Sequence, residues 1–204
     1  MTSSLASQIT RAPRIYDTTR GGDAAALVGD APPEVRDLIA GAASCAPYLM
    51  TLLEKESDWV MGAIDAPESA VAKVIEAART AAHEGVADKL RQGKRRLALM
   101  VALADLGGAW TLEQVTGALT DYADAACGAA LRAGLAPQIK RGKLPGMSED
   151  DLADAGGMTV LAMGKMGAGE LNYSSDIDLI CLYDETRFDG DDQHEARAAF
   201  VRAT

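Results

Sequence analysis

The chain has few histidines, cysteines and aromatic residues for its 204 residues. His83 and His194 are its two histidines, and its three cysteines, Cys45, Cys127 and Cys181, lie far apart. An odd number of widely spaced cysteines argues against a disulfide framework, and so few His and Cys side chains argue against a structural zinc site. Aromatic residues make up 4% of the chain, so small and aliphatic side chains must form the core.

The chain also lacks long apolar runs and an excess of basic residues. No segment approaches the roughly 18–20 apolar residues of a membrane span, and the N-terminus has no secretory signal pattern. The net charge of −10 argues against nucleic-acid binding, because proteins that follow phosphate backbones carry basic surfaces. The basic cluster RQGKRR, at Arg91–Arg96, is interpreted as a solvated helix face. We expect a cytoplasmic protein with neither a membrane nor a nucleic-acid partner.

Helical patterns dominate the first two-thirds of the chain. Residues 1–22 show no periodicity and predict a flexible N-terminal arm, whereas residues 23–139 predict a helical region. The spacing of Thr111 and Gln114 is that of a capping box, which marks a helix start. The predicted apolar faces of two helices are formed by Val71, Val74, Ile75 and Ala78, and by Leu112, Val115, Leu119 and Tyr122.

The pattern changes over residues 140–204, which begin with a connector rich in Gly, Pro and Lys. The runs MTVLAM, from Met158, and IDLICLY, from Ile177 to Tyr183, predict two buried strands. A tight turn and one short helix near Glu170 are expected between them. The segment from Asp191 to Thr204 predicts a helix in which Ala196, Ala199, Phe200 and Val201 are apolar.

Two aspartates, Asp176 and Asp178, stand one residue apart at the second predicted strand. Strand side chains alternate, so both carboxylates would project to one side, about 6–7 Å apart. Two charges at that distance repel by roughly 2.5 kcal/mol at an effective dielectric near 20, which calls for a compensating partner. A shared proton, an arginine or a divalent cation could serve, and Mg²⁺ or Mn²⁺ suits hard oxygen ligands of this kind.

A glycine-rich turn precedes these acids and favours the metal interpretation. Gly164, Gly167 and Gly169 follow one predicted strand and allow close approach of the backbone to a ligand or positive φ angles. The turn is neither a Walker A loop nor a dinucleotide fingerprint, because Thr159, Met166 and Asn172 replace required residues. Strand, glycine turn, short helix and Asp-x-Asp together predict a site for metal and phosphate.

The string GKMGAGELNYSSDIDLICLY, from Gly164 to Tyr183, resembles the signature of the nucleotidyltransferase fold of DNA polymerase β-like enzymes. Within that fold it is most similar to the glutamate–ammonia-ligase adenylyltransferase family, and the resemblance covers about Val86 to Tyr183. The fold class it implies is α+β and mainly α. A helical N-terminal region would precede an incomplete nucleotidyltransferase core with a small mixed sheet.

The family has two such cores, an N-terminal adenylyl removase and a C-terminal adenylyl transferase, and this sequence resembles the N-terminal copy. The resemblance implies phosphorolysis of adenylyl-tyrosine on glutamine synthetase, giving ADP and active enzyme. It implies Mg²⁺ or Mn²⁺ on Asp176 and Asp178, the catalytic and metal-binding residues. Implied partners are adenylylated glutamine synthetase, phosphate, ADP and ATP, and a PII-type signal protein through regions outside this chain. The implied nucleotide- and phosphate-binding residues are Gly164, Lys165, Gly167, Ser174 and Ser175.

The chain departs from the family pattern after Tyr183. The fold places a third carboxylate on a later strand, and here the later acids fall in a connector or at a helix start: Asp184, Glu185, Asp189, Asp191 and Asp192. We therefore expect an N-terminal fragment that is weakly active or inactive alone.

Two other interpretations stay open. The chain could be another enzyme of this fold, such as a uridylyltransferase of PII, although GELNYS argues against it. It could also be a non-catalytic helical interaction module, and metal binding would distinguish that case from an enzyme.

Overall fold

The computed structural model describes residues 3–204, most of which are helical. The sheet consists of β1 (Met158–Ala162) and β2 (Leu179–Tyr183), and short 3₁₀ helices cover Glu149–Gly157 and Glu185–Arg187. The α-helices are α1 (Leu5–Gln8), α2 (Thr18–Leu27), α3 (Pro33–Cys45), α4 (Pro47–Ala63), α5 (Pro67–Arg79), α6 (Val86–Leu106), α7 (Leu112–Lys140), α8 (Gly164–Gly167) and α9 (Gln193–Ala203). The α+β, mainly α class predicted from the sequence is confirmed.

Local sequence signals set several helix starts. Proline opens α3, α4 and α5, where its missing N–H costs no helical hydrogen bond. At the start of α7, the Thr111 N–H donates to Gln114 Oε1 (2.8 Å), and the Gln114 N–H donates to Thr111 Oγ1 (3.4 Å). The predicted capping box is confirmed.

The predicted apolar faces are confirmed in α5 and only partly in α7. All four predicted apolar residues of α5 are buried. In α7, Val115 and Tyr122 are buried, but Leu112 is 72% exposed and its assignment to the core face is wrong. Leu112 is the first residue of α7, directly after the cap.

The N-terminal segment differs from the flexible arm predicted for residues 1–22. Its described residues include α1 and the first part of α2. Leu5 is fully buried, and its N–H donates to the Ile64 carbonyl at 2.7 Å. The Thr10 N–H donates to the Gly107 carbonyl at 2.9 Å. Contacts with residues distant in sequence therefore fix a segment that has no periodicity of its own.

Two hydrophobic clusters share the long helix α7. The larger cluster joins α1–α6 and the first half of α7 as far as Ala125. The smaller cluster begins at Leu131 and joins the end of α7 to β1 and α9, and it includes the buried Phe200. Tyr183 of β2 stacks on Phe200, with ring centroids 4.6 Å apart. The smaller cluster thus begins inside α7, before residue 140, where the sequence predicts the start of the nucleotidyltransferase core.

The two strands pair antiparallel, with Met158 opposite Tyr183 and Ala162 opposite Leu179. The prediction that both strands are buried is wrong: the sheet packs on the smaller cluster through Met158, Val160 and Tyr183, and every residue of β2 except Tyr183 is exposed. The other face carries Thr159, Leu161, Ile180 and Leu182, all exposed. The pairing among the described residues is purely antiparallel, so the parallel component of the predicted mixed sheet is not seen there.

A buried acid joins α4 to the basic cluster of α6. The Glu56 side chain is 3% exposed and accepts from Arg95 Nε (2.9 Å) and Arg96 Nε (2.8 Å). Glu56 interrupts the helical geometry of α4 with φ −131° and ψ 19°. The Arg96 guanidinium also lies 5.6 Å from the centre of the Trp59 ring. Two arginines of RQGKRR thus hold helices together instead of forming a solvated face.

The last helix, α9, confirms the predicted C-terminal helix, and Ala196, Ala199 and Phe200 are buried in it. Val201, the fourth of the predicted apolar residues, is 68% exposed. Among the described residues, no helix is long and apolar enough to cross a membrane.

Candidate functional site

A compact glycine turn links β1 to the loop that carries the acids. The short helix predicted near Glu170 lies earlier, at Gly164–Gly167. Gly164 (φ +57°) and Gly169 (φ +74°) take left-handed conformations that strain other residues. At Gly167 a β-carbon would collide with the Ala162 carbonyl oxygen. The buried side chain of Met166 anchors the turn to the protein.

The two aspartates lie just before β2 rather than on it, because β2 begins at Leu179. The prediction that Asp176 and Asp178 project from a strand is wrong in that respect. The Asp178 carbonyl still accepts a hydrogen bond from the Met163 N–H at 2.9 Å, which continues the pairing of β1 and β2 by one step. Both carboxylates are exposed to solvent.

Five of the seven predicted site residues line one open cleft of about 330 Å³ between the turn and this loop. Gly164 and Gly167 do not line it; they shape the turn from which Lys165 reaches it. Sequence reasoning missed Met163 and Asn172, which also line the cleft. The predicted residues that line it are Lys165, Ser174, Ser175, Asp176 and Asp178.

The acid-bearing loop is fastened to the helical region at two points. The Leu171 N–H donates to Thr120 Oγ1 on α7 (3.2 Å), and this hydroxyl donates in turn to the Thr116 carbonyl (2.9 Å). The Tyr173 hydroxyl donates to Asp105 Oδ2 on α6 at 3.1 Å. Burial, followed by the nearby Asp105 carboxylate, raises the pKa of Tyr173 above its ordinary value.

Sequence reasoning did not find Thr120 or Asp105, because each lies more than fifty residues from its partner in the loop. Inside the loop, Ser175 Oγ donates to Asn172 Oδ1 at 2.6 Å. This bond ties one wall of the cleft together. The helical region therefore holds the loop in place.

The described residues bring two carboxylates to the cleft, and no group of three or more His, Cys, Asp or Glu side chains in them is arranged to hold a metal ion. The later acids have other contacts. Asp184 accepts from the Thr186 hydroxyl (2.6 Å) and N–H (3.0 Å), and these bonds lower the pKa of its carboxyl group. Glu195 pairs with Lys143 at 2.7 Å. Two carboxylates with free oxygens suit Mg²⁺, which uses few protein ligands together with substrate phosphates.

The cleft combines groups that can bind a phosphate with groups that can bind a cation. The Lys165 ammonium supplies positive charge, and the Ser174 hydroxyl supplies a donor for a phosphate oxygen, whereas the Ser175 hydroxyl already donates to Asn172. The carboxylates of Asp176 and Asp178 repel a phosphate unless a cation lies between them and it. The cleft therefore fits a phosphate ester together with a divalent cation.

Comparisons with known proteins identify the family of the chain. The model of the family described as glutamate-ammonia ligase adenylyltransferase matches residues 35–204. A bifunctional glutamine synthetase adenylyltransferase/adenylyl-removing enzyme of Rhodopseudomonas palustris is 37% identical over 203 residues, covering 89% of this chain and 20% of that protein. Proteins of the same description from Bradyrhizobium sp. and Caulobacter vibrioides are 41% identical (83% of this chain, 18% of that protein) and 37% identical (78% and 17%).

The chain spans about a fifth of the length of these relatives. No solved structure matches it. The family match covers the cleft, the turn and most of the helical region, including both points at which the loop is fastened. This chain belongs to the glutamate-ammonia ligase adenylyltransferase family of nucleotidyltransferases.

Proposed function

We propose that this chain is the adenylyl-removing part of an enzyme that regulates glutamine synthetase, and that its substrate is adenylyl-tyrosine on that protein. The observation that carries the proposal is the cleft that joins Lys165, Ser174 and Ser175 to Asp176 and Asp178, within the region that the family model matches. The relatives are named for both adenylyl transfer and adenylyl removal. The resemblance of the loop to the N-terminal copy favours removal.

In the proposed reaction, an oxygen of hydrogen phosphate attacks the phosphorus of the adenylyl group. A new P–O bond forms, the bond from phosphorus to the tyrosyl oxygen breaks, and the proton of the attacking phosphate passes to the phenolate. The products are ADP and unmodified tyrosine, so atoms and charge balance. Mg²⁺ or Mn²⁺, when bound, neutralises phosphoryl charge and aligns the attacking and leaving oxygens.

The chain's own residues have separate roles in this proposal. Asp176 and Asp178 hold the cation, and Lys165 binds a phosphate oxygen. Ser174 and Ser175 donate hydrogen bonds or fix the loop. Gly164 and Gly167 give the turn its shape and so place Lys165. ATP and a PII-type signal protein, partners of the whole enzyme, would act through other parts of it. We place the reaction in the cytoplasm, where glutamine synthetase works.

The test is release of ADP from adenylylated glutamine synthetase in the presence of Mg²⁺ and phosphate. We expect release to require Asp178, so Asp178→Asn abolishes it, whereas Asp191→Asn, which removes an exposed acid outside the cleft, does not. A chain extended to the length of the relatives should be assayed in parallel. ADP from the longer chain alone indicates that further residues complete the site, whereas no ADP from either chain refutes adenylyl removal.

Binding of Mn²⁺ separates this proposal from a non-catalytic interaction module. We expect binding that Asp176→Asn and Asp178→Asn each weaken at least tenfold. If Mn²⁺ binding is absent, or is unaffected by both substitutions, the acids do not form a metal site and the interaction module is favoured.

A further inference from the structure

A second cavity, of about 530 Å³, lies directly beside the cleft, between α6, α7 and the acid-bearing loop. Its volume falls within the roughly 300–1,000 Å³ typical of small-molecule sites. On α7, the side chains that line it recur along one face, at Leu119, Ala123, Ala126 and Ala130. Their small size leaves the space open, because an alanine fills little of the gap between two helices.

The cavity and the cleft share a wall. Asn172, Ser175 and Asp176 line both spaces. A molecule with a phosphate beside Lys165 could therefore place an attached group in the cavity without crossing the protein. The hydrogen bond from Ser175 to Asn172 fixes this wall, and the bond from Leu171 to Thr120 fixes the segment leading to it.

The chemistry of the cavity favours a flat, uncharged ring. Leu97, Ala98 and Leu171 give it an apolar lining, with the Tyr122 ring beside them. Burial raises the pKa of the Cys127 thiol that also lines it, so the thiol stays neutral at physiological pH. Polar groups of the lining come from Lys94 and, on the shared wall, from Asn172 and Asp176. A purine matches this distribution, because its faces are apolar and its edges form hydrogen bonds.

We propose that this cavity binds the adenine ring of the nucleotide whose phosphate lies in the cleft. The inference rests on the proposed function for the identity of the base. It adds that α6 and α7 of the helical region form the base site, so that the helical region and the glycine turn bind one substrate jointly.

Ala126→Leu tests the proposal, because leucine at this partly buried position fills the cavity without changing any charge. Ala87→Leu, at an exposed position in the first turn of α6, is the matched control. Isothermal titration and NMR line-broadening would measure three ligands: adenosine, ADP with Mg²⁺, and pyrophosphate with Mg²⁺. Ala130→Leu, which fills the same cavity one turn further along α7, guards against a folding defect in the first variant.

We expect Ala126→Leu and Ala130→Leu to weaken adenosine and ADP binding at least tenfold and to change pyrophosphate binding less than twofold. Ala87→Leu should change none of the three. If both filling variants bind ADP and adenosine like the unmodified chain, the base lies elsewhere and the inference is overturned. Phenyl phosphate competing with adenosine for the cavity would overturn it too, because the cavity would then hold the tyrosyl ring.

The two proposals fail in different ways. If pyrophosphate binding requires Asp178 while adenosine does not bind, the cleft stands as proposed and the base site is refuted. If adenosine binds and both filling variants abolish this binding, but neither pyrophosphate nor Mn²⁺ binds, the base site is supported and the proposed phosphate cleft is refuted.

Discussion

Replacing Thr120 by valine tests whether the helical region holds the acid-bearing loop in place. Valine is close to threonine in volume, so the change removes the hydroxyl while leaving little cavity. The Leu171 N–H then loses its acceptor, in a place where Thr120 is 6% exposed and Leu171 is 7% exposed. A buried N–H without an acceptor costs about 1–3 kcal/mol, and we expect a loss of about 2 kcal/mol in the free energy of unfolding.

Urea denaturation gives the magnitude, and Thr120→Ser is the control because serine keeps the hydroxyl. We expect Thr120→Ser to lose less than half as much stability as Thr120→Val. Thr120→Val should also bind Mn²⁺ more weakly than Thr120→Ser, because a loosened Leu171 lets Asp176 and Asp178 move apart. Equal stability of Thr120→Val and the unmodified chain, within about 0.5 kcal/mol, would refute the proposed anchoring role.

Two further predictions concern the helical region. Glu56→Gln leaves two arginines facing a buried neutral side chain. We expect urea denaturation to show a loss of about 3 kcal/mol in the free energy of unfolding, the lower end for broken buried ion pairs, because both arginines are partly exposed. A loss below about 1 kcal/mol would contradict this expectation. Burial raises the pKa of Tyr122 to about 12. The contribution of the protonated phenol to the free energy of unfolding is therefore fully present below about pH 10 and is lost as the pH rises toward about 12. The stability difference between the unmodified chain and Tyr122→Phe should therefore shrink between pH 9 and pH 11.5, and a constant difference would show that the buried phenol is not protonated preferentially.

Much of the helical architecture could be predicted from local sequence. The capping box at Thr111, which the structure confirms, acts within a few residues, and so does proline at the start of α3, α4 and α5. The amphipathic face of α5 was also predictable, because one helix side packs on one core. The failure came at a helix start, where Leu112 fits the periodicity but is 72% exposed.

The site was predictable in composition and only partly in geometry. The glycine turn and the two acids stand out because their spacing is unusual, and the structure brings Lys165 and both serines into the same cleft. The position of Asp176 and Asp178 before β2 was not predictable, since an apolar run does not state at which residue strand pairing begins. The exposed outer face of the sheet was missed for a related reason: a run of apolar residues indicates a strand but not what covers it.

The sequence by itself determined the helical character, the glycine turn, the pair of acids and the resemblance to a nucleotidyltransferase family, because each depends on residues close together in the chain. Tertiary structure alone decided the contacts between distant residues. It fixed the N-terminal segment against Ile64 and Gly107, paired Glu56 with two arginines of α6, and fastened the loop to Thr120 and Asp105. It also placed the cavity between α6 and α7 beside the cleft, because a cavity depends on the packing of whole helices, which local sequence does not encode.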